Sequence, residues 1–360
     1  MSQTMPETMS AAVFKGKGRL EIEERPVPQL QGDDEVILEV GGVGICGSDL
    51  HIIDRPEGHP AKLGVIMGHE FAGRVATIGK GVKGLKPGDH VVVDPNPGCG
   101  KCKMCVRGFP NACIPLFTNP ESPLPGFGRT PGMWWDGAMA KFVRMPAHHL
   151  HPISKHVPMW QAALFEPIGV IMNGMSKINF QVGESAVVLG AGPIGLLFVA
   201  MFKAAGASKV MVSDPAPRRR KVALACGADV VIDPNEEDVR QRVLAETNDD
   251  GADVSVEAVG WVFPLAVELV RFSGRVLVVG TQVEEVQFSP HSINSKELQI
   301  FGVFLMQHAM EAAVSILETG LLPLNQIVTH RLPLERVHEG LDLVRSGEAA
   351  KVVLEPIESA

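Results

Sequence analysis

The stretch Ser-Ala-Val-Val-Leu-Gly-Ala-Gly-Pro-Ile-Gly, residues 185–195, decides the fold of this chain. An apolar strand runs directly into a G-x-G-x-x-G turn, and an apolar helix is predicted to follow from Pro193. The first glycine permits a tight turn, the second lets the backbone approach a pyrophosphate, and the third lets the helix pack against the strand. The helix N-terminus offers a positive dipole end to phosphates. The predicted cofactor-binding residues of this turn are Gly190, Gly192, Pro193, Ile194 and Gly195.

Short apolar segments on both sides of this turn alternate with helical patterns. This alternation is typical of a parallel sheet whose two faces are covered by helices. We therefore predict a doubly wound Rossmann domain over residues 157–295. Its predicted strands are 185–189, 210–212, 230–232, 254–256 and 276–279.

An acidic residue, Asp214, follows the second of these strands, 24 residues after Gly190. A carboxylate at this position accepts hydrogen bonds from the two hydroxyls of a ribose and repels a 2′-phosphate. The sequence thus favours NAD over NADP as the cofactor. Arg219, with its neighbour Arg218, is a candidate to contact a cofactor phosphate, so NADP stays as the alternative. A helix-capping role is the competing interpretation of Asp214.

The first part of the chain has a different pattern, with many Gly and Pro residues and short β-like runs at 35–40, 71–78 and 90–93. Turn dipeptides between such runs predict a mainly antiparallel, barrel-like domain. We assign residues 1–156 to this domain and expect residues 296–360 to complete it. The overall fold class is α/β.

Length and charge exclude several classes of protein. A chain of 360 residues suits two domains, and a net charge of −8 argues against binding nucleic acid or an anionic membrane. The sequence contains no run of about 18 apolar residues, so it predicts no transmembrane helix. The polar start of the chain does not resemble a secretory signal, so we expect a soluble, cytoplasmic protein.

Four of the six cysteines, Cys99, Cys102, Cys105 and Cys113, crowd into one glycine-rich segment. Four thiolates in a compact loop predict a closed tetrahedral zinc site of the structural type. An iron–sulfur cluster is the chemical alternative.

A second group of metal-ligand residue types lies in Cys46-Gly-Ser-Asp-Leu-His51 and Gly68-His69-Glu70. Taken alone, each residue also fits an ordinary structural role, namely a buried cysteine, a core histidine or a solvated carboxylate. Zinc with an open coordination position would act as a Lewis acid on a substrate hydroxyl. Ser48 is placed to accept the hydroxyl proton, and His51 has a pKa suited to releasing it near neutral pH. An alkoxide formed in this way can transfer hydride to a nicotinamide.

The order of these motifs resembles the zinc-containing medium-chain dehydrogenase/reductase family, closest to its sorbitol (polyol) and threonine dehydrogenase branch. The resemblance covers nearly the whole chain and includes Phe165-Glu166-Pro167. It implies a GroES-like catalytic domain, an NAD-binding Rossmann domain and two zinc ions per subunit. It further implies Cys46 and His69 as ligands of the catalytic zinc, with Glu70 or Glu166 or both as its acidic partners. Relatives of this kind pair a sheet edge near residues 298–304 across a two-fold axis, so we expect a homotetramer or homodimer.

The substrate is less well specified. Polyol dehydrogenases often carry an Arg-Tyr pair where this chain has residues 302–307, and the chain contains no tyrosine. We expect the long loop 115–135 to give the alcohol pocket an apolar wall. Core packing of its two tryptophans is the alternative. The loop's large apolar residues are Phe117, Phe127, Met133, Trp134 and Trp135.

The function predicted from the sequence is therefore NAD-dependent oxidation of a secondary alcohol of the polyol, sugar-like or amino-alcohol type. A dehydrogenase of simple or aromatic alcohols is one alternative. A dinucleotide-binding protein that has lost turnover is the other, although the presence of all the metal-ligand and relay residue types argues against it.

Overall fold

The computed structural model describes residues 5–122, 129–281 and 285–357, so Phe127 lies outside the described residues. Its strands are β1 (Thr8–Gly16), β2 (Arg19–Pro26), β3 (Glu35–Gly44), β4 (Glu70–Ile78), β5 (His90–Val93), β6 (Phe142–Pro146), β7 (Leu150–Ile153), β8 (Ser185–Leu189), β9 (Lys209–Ser213), β10 (Val230–Ile232), β11 (Ala252–Glu257), β12 (Val270–Val278), β13 (Gln299–Gly302), β14 (Val328–Pro333) and β15 (Lys351–Glu355).

The α-helices are mostly short. They are α1 (Gly47–Asp54), α2 (Lys103–Val106), α3 (Ile114–Phe117), α4 (Met159–Ala162), α5 (Phe165–Ile178), α6 (Pro193–Ala204), α7 (Pro217–Ala225), α8 (Val239–Glu246), α9 (Phe263–Glu268), α10 (His291–Asn294), α11 (Met310–Thr319), α12 (Leu324–Ile327) and α13 (Val337–Arg345). Three 3₁₀ helices are described as well, Pro110–Ala112, Ala147–His149 and Leu334–Arg336.

A six-stranded parallel sheet forms the nucleotide-binding half of the molecule, in the order β10-β9-β8-β11-β12-β13. From β8 the chain first adds β9 and β10 on one side of the sheet and then adds β11, β12 and β13 on the other side. The strand order therefore reverses between β8 and β11. In sheets of this kind, ligands bind at the carboxyl ends of the strands where the order reverses. The G-x-G-x-x-G turn follows β8 at that point, and the predicted doubly wound domain is confirmed.

The other half is built on a seven-stranded sheet in the order β14-β15-β3-β4-β5-β7, with β6 paired to β3, and on a β1–β2 hairpin. All of these pairings are antiparallel except β14–β15. This arrangement is the predicted mainly antiparallel domain. The C-terminal strands β14 and β15 complete its sheet, because β15 pairs with β3 near Gly44.

Three hydrophobic clusters are buried among the described residues. One contains Phe14 and Phe71 inside the seven-stranded half. The other two lie on the two faces of the parallel sheet, one with Phe198 and Phe202 and the other with Val187. The division at residue 296 needs a correction, because β13 pairs with β12 inside the parallel sheet. A boundary after Gly302 keeps this sheet in one domain, and the remainder of the division stays a proposal.

A span of the lipid bilayer requires a helix of about 20 apolar residues. Within the parts of the chain that the structure describes, no helix reaches the necessary length and apolar character.

Candidate active site

The first helix of the catalytic half carries three of the predicted site residues. Cys46 is the N-cap of α1, and its backbone N–H donates to Asp49 Oδ2 at 2.9 Å. This bond fixes the start of the helix immediately after β3. Ser48 and His51 are three residues apart on the helix and therefore share one of its faces. Both line a cavity of about 770 Å³, together with Cys46.

Strand pairing brings His69 and Glu70 to the same place. Gly44, the last residue of β3, pairs with Glu70, the first residue of β4. Cys46, two residues after the end of β3, therefore lies beside the start of β4. Ligand atoms of Cys46, His69 and Glu70 all lie within 4.8 Å of one another.

This cluster of a thiol, an imidazole and a carboxylate fits a zinc ion, which accepts all three ligand types in a tetrahedral site. Two polar neighbours flank the imidazole of His69, and the atoms on the Asp49 side have no hydrogen-bond partner among the described residues. Its Nε2 lies 3.5 Å from Ser48 Oγ, and its Nδ1 lies 3.6 Å from the buried Asp49 Oδ1. A carboxylate on the far side of a metal-binding histidine selects the tautomer and raises the basicity of the ligating nitrogen.

Glu70 forms a buried ion pair with Lys351, which starts β15. Lys351 is 1% exposed, and its ammonium group also donates to the carbonyl of Ile45 at 2.9 Å. Burial opposes ionisation of Glu70, but Lys351 and His69 together hold its pKa below the usual value. A carboxylate at this position therefore remains charged and is held in one orientation.

Glu166 lies in the first turn of α5, is 8% exposed and lines the same cavity. Its oxygens do not belong to the group of ligand atoms that lies within 4.8 Å. Burial raises the pKa of Glu166 to about 7, and the nearby charge of Glu70 adds to this effect. The structure thus brings Glu166 to the cavity but not into the cluster of Cys46, His69 and Glu70.

The opposite side of the cavity is formed by the glycine-rich turn, since Gly192, Pro193, Ile194 and Gly195 line it. Gly190 has φ +97°, which favours glycine, and a Cβ at Gly195 would overlap the carbonyl oxygen of Gly190. A Cβ at Gly192 would meet no atom within 4 Å. That open space at the N-terminus of α6 is where a pyrophosphate would fit.

Asp214 follows β9 and is 4% exposed. Its Oδ2 accepts from the backbone N–H of Ala191 at 2.7 Å, and its Oδ1 accepts from that of Ala216 at 2.8 Å. The carboxylate is therefore tied to the glycine-rich turn, and each oxygen keeps a lone pair for a ribose hydroxyl.

The arginines after Asp214 point elsewhere. Arg219 Nη2 donates to the carbonyl of Val344 at 3.3 Å, and Arg218 pairs with Glu348 at 3.4 Å. Arg219 thus contacts the end of α13, and Arg218 contacts the segment that joins α13 to β15. A role for Arg219 in cofactor binding stays a prediction, and these contacts do not support it.

The four cysteines of the second cluster, Cys99, Cys102, Cys105 and Cys113, have sulfur atoms that all lie within 4.8 Å of one another. Backbone N–H groups, that of Cys105 most strongly, lower the pKa of Cys102 to about 6. Burial instead raises the pKa of Cys105, and raises that of Cys113 to about 12, so without a metal the four thiols differ in their tendency to ionise. The cluster has the form of a closed tetrahedral site.

The segment around this cluster, residues 99–113, contacts residues 304–308, which follow β13. The carbonyl of Gly108 accepts from Gln307 Nε2 at 3.0 Å and lies 2.8 Å from His308 Nε2. Asn111 Nδ2 donates to the carbonyl of Phe304 at 2.9 Å. Phe304 and its neighbour Leu305 line the cavity, so the cysteine segment supports part of the cavity wall.

The loop predicted to line the alcohol pocket divides between two roles. Phe117 and Met133 line the cavity, and the ring of Phe117 lies 5.8 Å from that of Phe304. Trp134 instead belongs to the core of the seven-stranded half, and Trp135 packs against that core. The tryptophans therefore follow the core-packing alternative.

Sequence reasoning did not identify Lys351, Asp49, Asn96 and Thr130 as site residues. Lys351 is the single charged residue at the start of an apolar strand, which is a signal that could have been used. Asp49 sits three residues after Cys46, the spacing of a capping box. Asn96 and Thr130 are polar residues in loops and carry no comparable signal.

Comparison with known protein families agrees with this geometry. Residues 32–155 match the model of the alcohol dehydrogenase GroES-like domain, and residues 193–319 match that of the zinc-binding dehydrogenase domain. The first matched region contains both groups of metal-ligand residues, and the second begins at Pro193, inside the glycine-rich turn.

Relatives of known activity cover almost the whole chain. An erythritol/L-threitol dehydrogenase of Mycolicibacterium smegmatis is 36% identical over 99% of this chain and 100% of its own. An L-threonine 3-dehydrogenase of Pyrococcus horikoshii is 35% identical over 98% of this chain and 99% of its own. A sorbitol dehydrogenase of Bombyx mori is 31% identical over 96% of this chain and 97% of its own.

Solved structures give the same result. An alcohol dehydrogenase from Thermus sp. ATN1 is 34% identical, with a TM-score of 0.84 over 96% of this chain and 99% of its own. A zinc-binding dehydrogenase from Sinorhizobium meliloti bound to NADP is 27% identical, with a TM-score of 0.88 over 98% and 100%. The chain belongs to the zinc-containing medium-chain alcohol dehydrogenase family, near its polyol and threonine dehydrogenases, and is an alcohol dehydrogenase that uses a nicotinamide cofactor.

Proposed function

We propose that this enzyme transfers a hydride between a secondary alcohol and NAD at a catalytic zinc site formed by Cys46, His69 and Glu70. One observation carries this proposal. The three ligand atoms lie within 4.8 Å of one another in the wall of a cavity whose other wall is the glycine-rich turn. A substrate in the cavity can therefore approach a metal ion on one side and a nicotinamide on the other.

The bound zinc ion would supply Lewis-acid activation of the substrate hydroxyl. Ser48 Oγ, 3.5 Å from His69 Nε2, stands beside the ligand cluster and is placed to take the hydroxyl proton. His51, on the same face of α1, would pass the proton toward solvent. Its ring stacks on that of His59, with 4.9 Å between ring centroids. Burial, and to a smaller extent the charge of a protonated His51, lowers the pKa of His59 to about 4. His59 therefore stays neutral near pH 7.

We assign Glu166 the role of a second acidic partner of the metal site, a carboxylate that would be available beside a bound zinc ion. Glu166 lines the cavity outside the three-ligand cluster, while Lys351 restrains Glu70. On this assignment Glu70 is the resting ligand.

NAD is the proposed cofactor because Asp214 is held at the glycine-rich turn, where its charge would repel a 2′-phosphate. We further propose that Cys99, Cys102, Cys105 and Cys113 hold a second, structural zinc ion. A cytoplasmic location and a homotetramer or homodimer complete the proposal. Light scattering that finds a monomer would contradict the oligomeric part.

The proposed reaction is tested by adding NAD and secondary alcohols to the purified enzyme and measuring NADH absorbance at about 340 nm. We expect turnover with wild type, and a fall of about 100-fold or more in kcat for Ser48→Ala, because a proton-transfer group is lost. Ser208→Ala is a suitable control, since Ser208 precedes β9 and lies outside the cavity lining. Unchanged kcat in Ser48→Ala would contradict the proton path, and absence of turnover in wild type would contradict the function.

A further inference from the structure

A pair of polar side chains that does not belong to the metal-ligand cluster lines the same cavity. Asn96 lies in the loop after β5, and Thr130 lies in the loop before β6. Both line the cavity that also contains Cys46 and His69. They are 7% and 8% exposed, so the cavity is the main space that their polar atoms can reach.

Hydrogen bonds hold this pair in one arrangement. Thr130 Oγ1 donates to Asn96 Oδ1 at 2.7 Å. The backbone N–H of Asn96 donates to Asp94 Oδ1 at 2.8 Å. Among the described residues, the side-chain nitrogen of Asn96 donates to no protein acceptor. Its N–H groups are therefore left for a ligand.

The pair offers both kinds of hydrogen-bonding group. Asn96 Nδ2 is a donor, and Thr130 Oγ1 keeps lone pairs that accept after its own hydrogen is used. A hydroxyl matches both, because it accepts and donates at once, whereas a carbonyl can only accept. The surrounding wall is apolar, with Leu116, Met133 and Leu305 among its residues. An alcohol without a second hydroxyl would leave the amide of Asn96 unsatisfied, which is unfavourable in a buried site.

The charges of the cavity favour a neutral substrate. Among the described residues that line it, Lys351 is the only lysine and there is no arginine. Lys351 is already paired with Glu70 and bonded to the carbonyl of Ile45. The proposed zinc ion would be occupied by the reacting hydroxyl, so a carboxylate or phosphate elsewhere on the substrate would find no free lysine or arginine and would share the cavity with Glu166.

We propose that Asn96 and Thr130 form a subsite that binds a second hydroxyl of the substrate while the reacting hydroxyl is held at the Cys46–His69–Glu70 cluster. The preferred substrates are then neutral diols and polyols. Anionic alcohols and monoalcohols are disfavoured. This inference rests on the proposed function.

The test compares 2,3-butanediol with 2-butanol, which differ by one hydroxyl. We expect wild type to show a kcat/KM at least 10-fold higher for the diol. In Asn96→Leu and in Thr130→Val, kcat/KM for the diol should fall by about 10- to 100-fold, and that for 2-butanol should change less than about 3-fold. Thr319→Val is the matched control, because the hydroxyl of Thr319 bonds the helix carbonyl of Ser315 outside the cavity.

A second measurement does not depend on turnover. Calorimetric titration of the diol into the enzyme–NADH complex, which cannot oxidise it, should show a Kd weakened by a similar factor in both variants. Equal kcat/KM of wild type for the two alcohols would overturn the subsite. An equal loss for both alcohols in the variants would also overturn it. Failure of wild type to oxidise either alcohol would instead count against the proposed function.

Discussion

At the scale of single residues, the site depends on side chains that hold its charged groups in place. Glu70 is buried and paired with Lys351, and both side chains pack against Gly44. A Cβ at Gly44 would overlap the Glu70 carboxylate and lie 2.9 Å from Lys351 Cε. The glycine at the end of β3 is therefore required by close packing against a buried ion pair.

Gly44→Ala should lower the free energy of unfolding by about 1–3 kcal/mol, because a methyl group displaces a buried charged pair. Urea unfolding measures this change. Gly47→Ala is the control for stability, since a Cβ there meets no atom within 4 Å and its cost should stay below about 0.5 kcal/mol. Equal stability of the two variants would show that the packing around Gly44 can relax.

Asp214 provides a second prediction at this scale. Asp214→Asn keeps the shape of the side chain but removes its charge, so a 2′-phosphate is no longer repelled. Like-charge contacts cost several kcal/mol. The ratio of kcat/KM with NAD to that with NADP should therefore fall by about 10-fold or more. An unchanged ratio in steady-state kinetics would remove Asp214 from cofactor selection.

The residues that sequence reasoning found and those it missed differ in how local their signal is. Cys46, His69 and the glycines of the turn sit in short motifs whose spacing carries the chemistry. Lys351 reaches Glu70 across 281 positions of chain, and this contact exists only because β15 pairs with β3. Asn96 and Thr130 likewise meet through loop packing. Local patterns do not encode such contacts.

At the scale of elements, the β8–turn–α6 unit was predictable because apolar periodicity and glycine spacing act within about 20 residues. The position of β13 was harder to predict. The strand has only four residues and is separated from the end of β12 by 20 residues, and only pairing with β12 assigns it to the parallel sheet. The sequence alone could not show which residues of the loop 115–135 line the cavity and which pack in the core, because apolar residues suit both environments equally.

Two glycines of the turn should respond differently to substitution. Gly195→Ala should destabilise the fold by about 2 kcal/mol or more, because its Cβ would overlap the Gly190 carbonyl. Gly192→Ala should leave stability nearly unchanged but weaken NAD binding by about 10-fold or more, because its methyl would occupy the space left for the pyrophosphate. Thermal unfolding and fluorescence titration with NADH separate the two effects. Tight NADH binding by Gly192→Ala would contradict the assigned position of the pyrophosphate.

The cysteine segment 99–113 should behave as a support for the cavity wall. Cys102→Ser should lose one metal ion and expose the backbone amides of residues 304–308 to faster hydrogen exchange, because Gly108 and Asn111 hold that segment. Cys226→Ala is the control, since Cys226 belongs to neither metal-ligand group. Unaltered exchange in Cys102→Ser would mean that the two segments are independent.

At the scale of the whole molecule, the proposed catalysis requires two halves that meet. Their packing is continuous, because Ala72 and Ile153 of the seven-stranded half belong to the same buried cluster as Phe198. The seven-stranded half presents Cys46, His69 and Glu70, and the parallel sheet presents the glycine-rich turn, across one cavity. The sequence predicts both halves from their different patterns. It does not predict the apolar and polar lining of the space between them, because that lining combines residues from both halves.

The zinc content of the purified protein tests this account most directly. Wild type should contain two zinc ions per chain, and Cys46→Ser should retain one and lose turnover, because one of the three clustered ligands is removed. Cys226→Ala should retain two. A wild-type chain with a single ion, or a Cys46→Ser variant with two ions and normal turnover, would contradict a catalytic zinc at Cys46, His69 and Glu70.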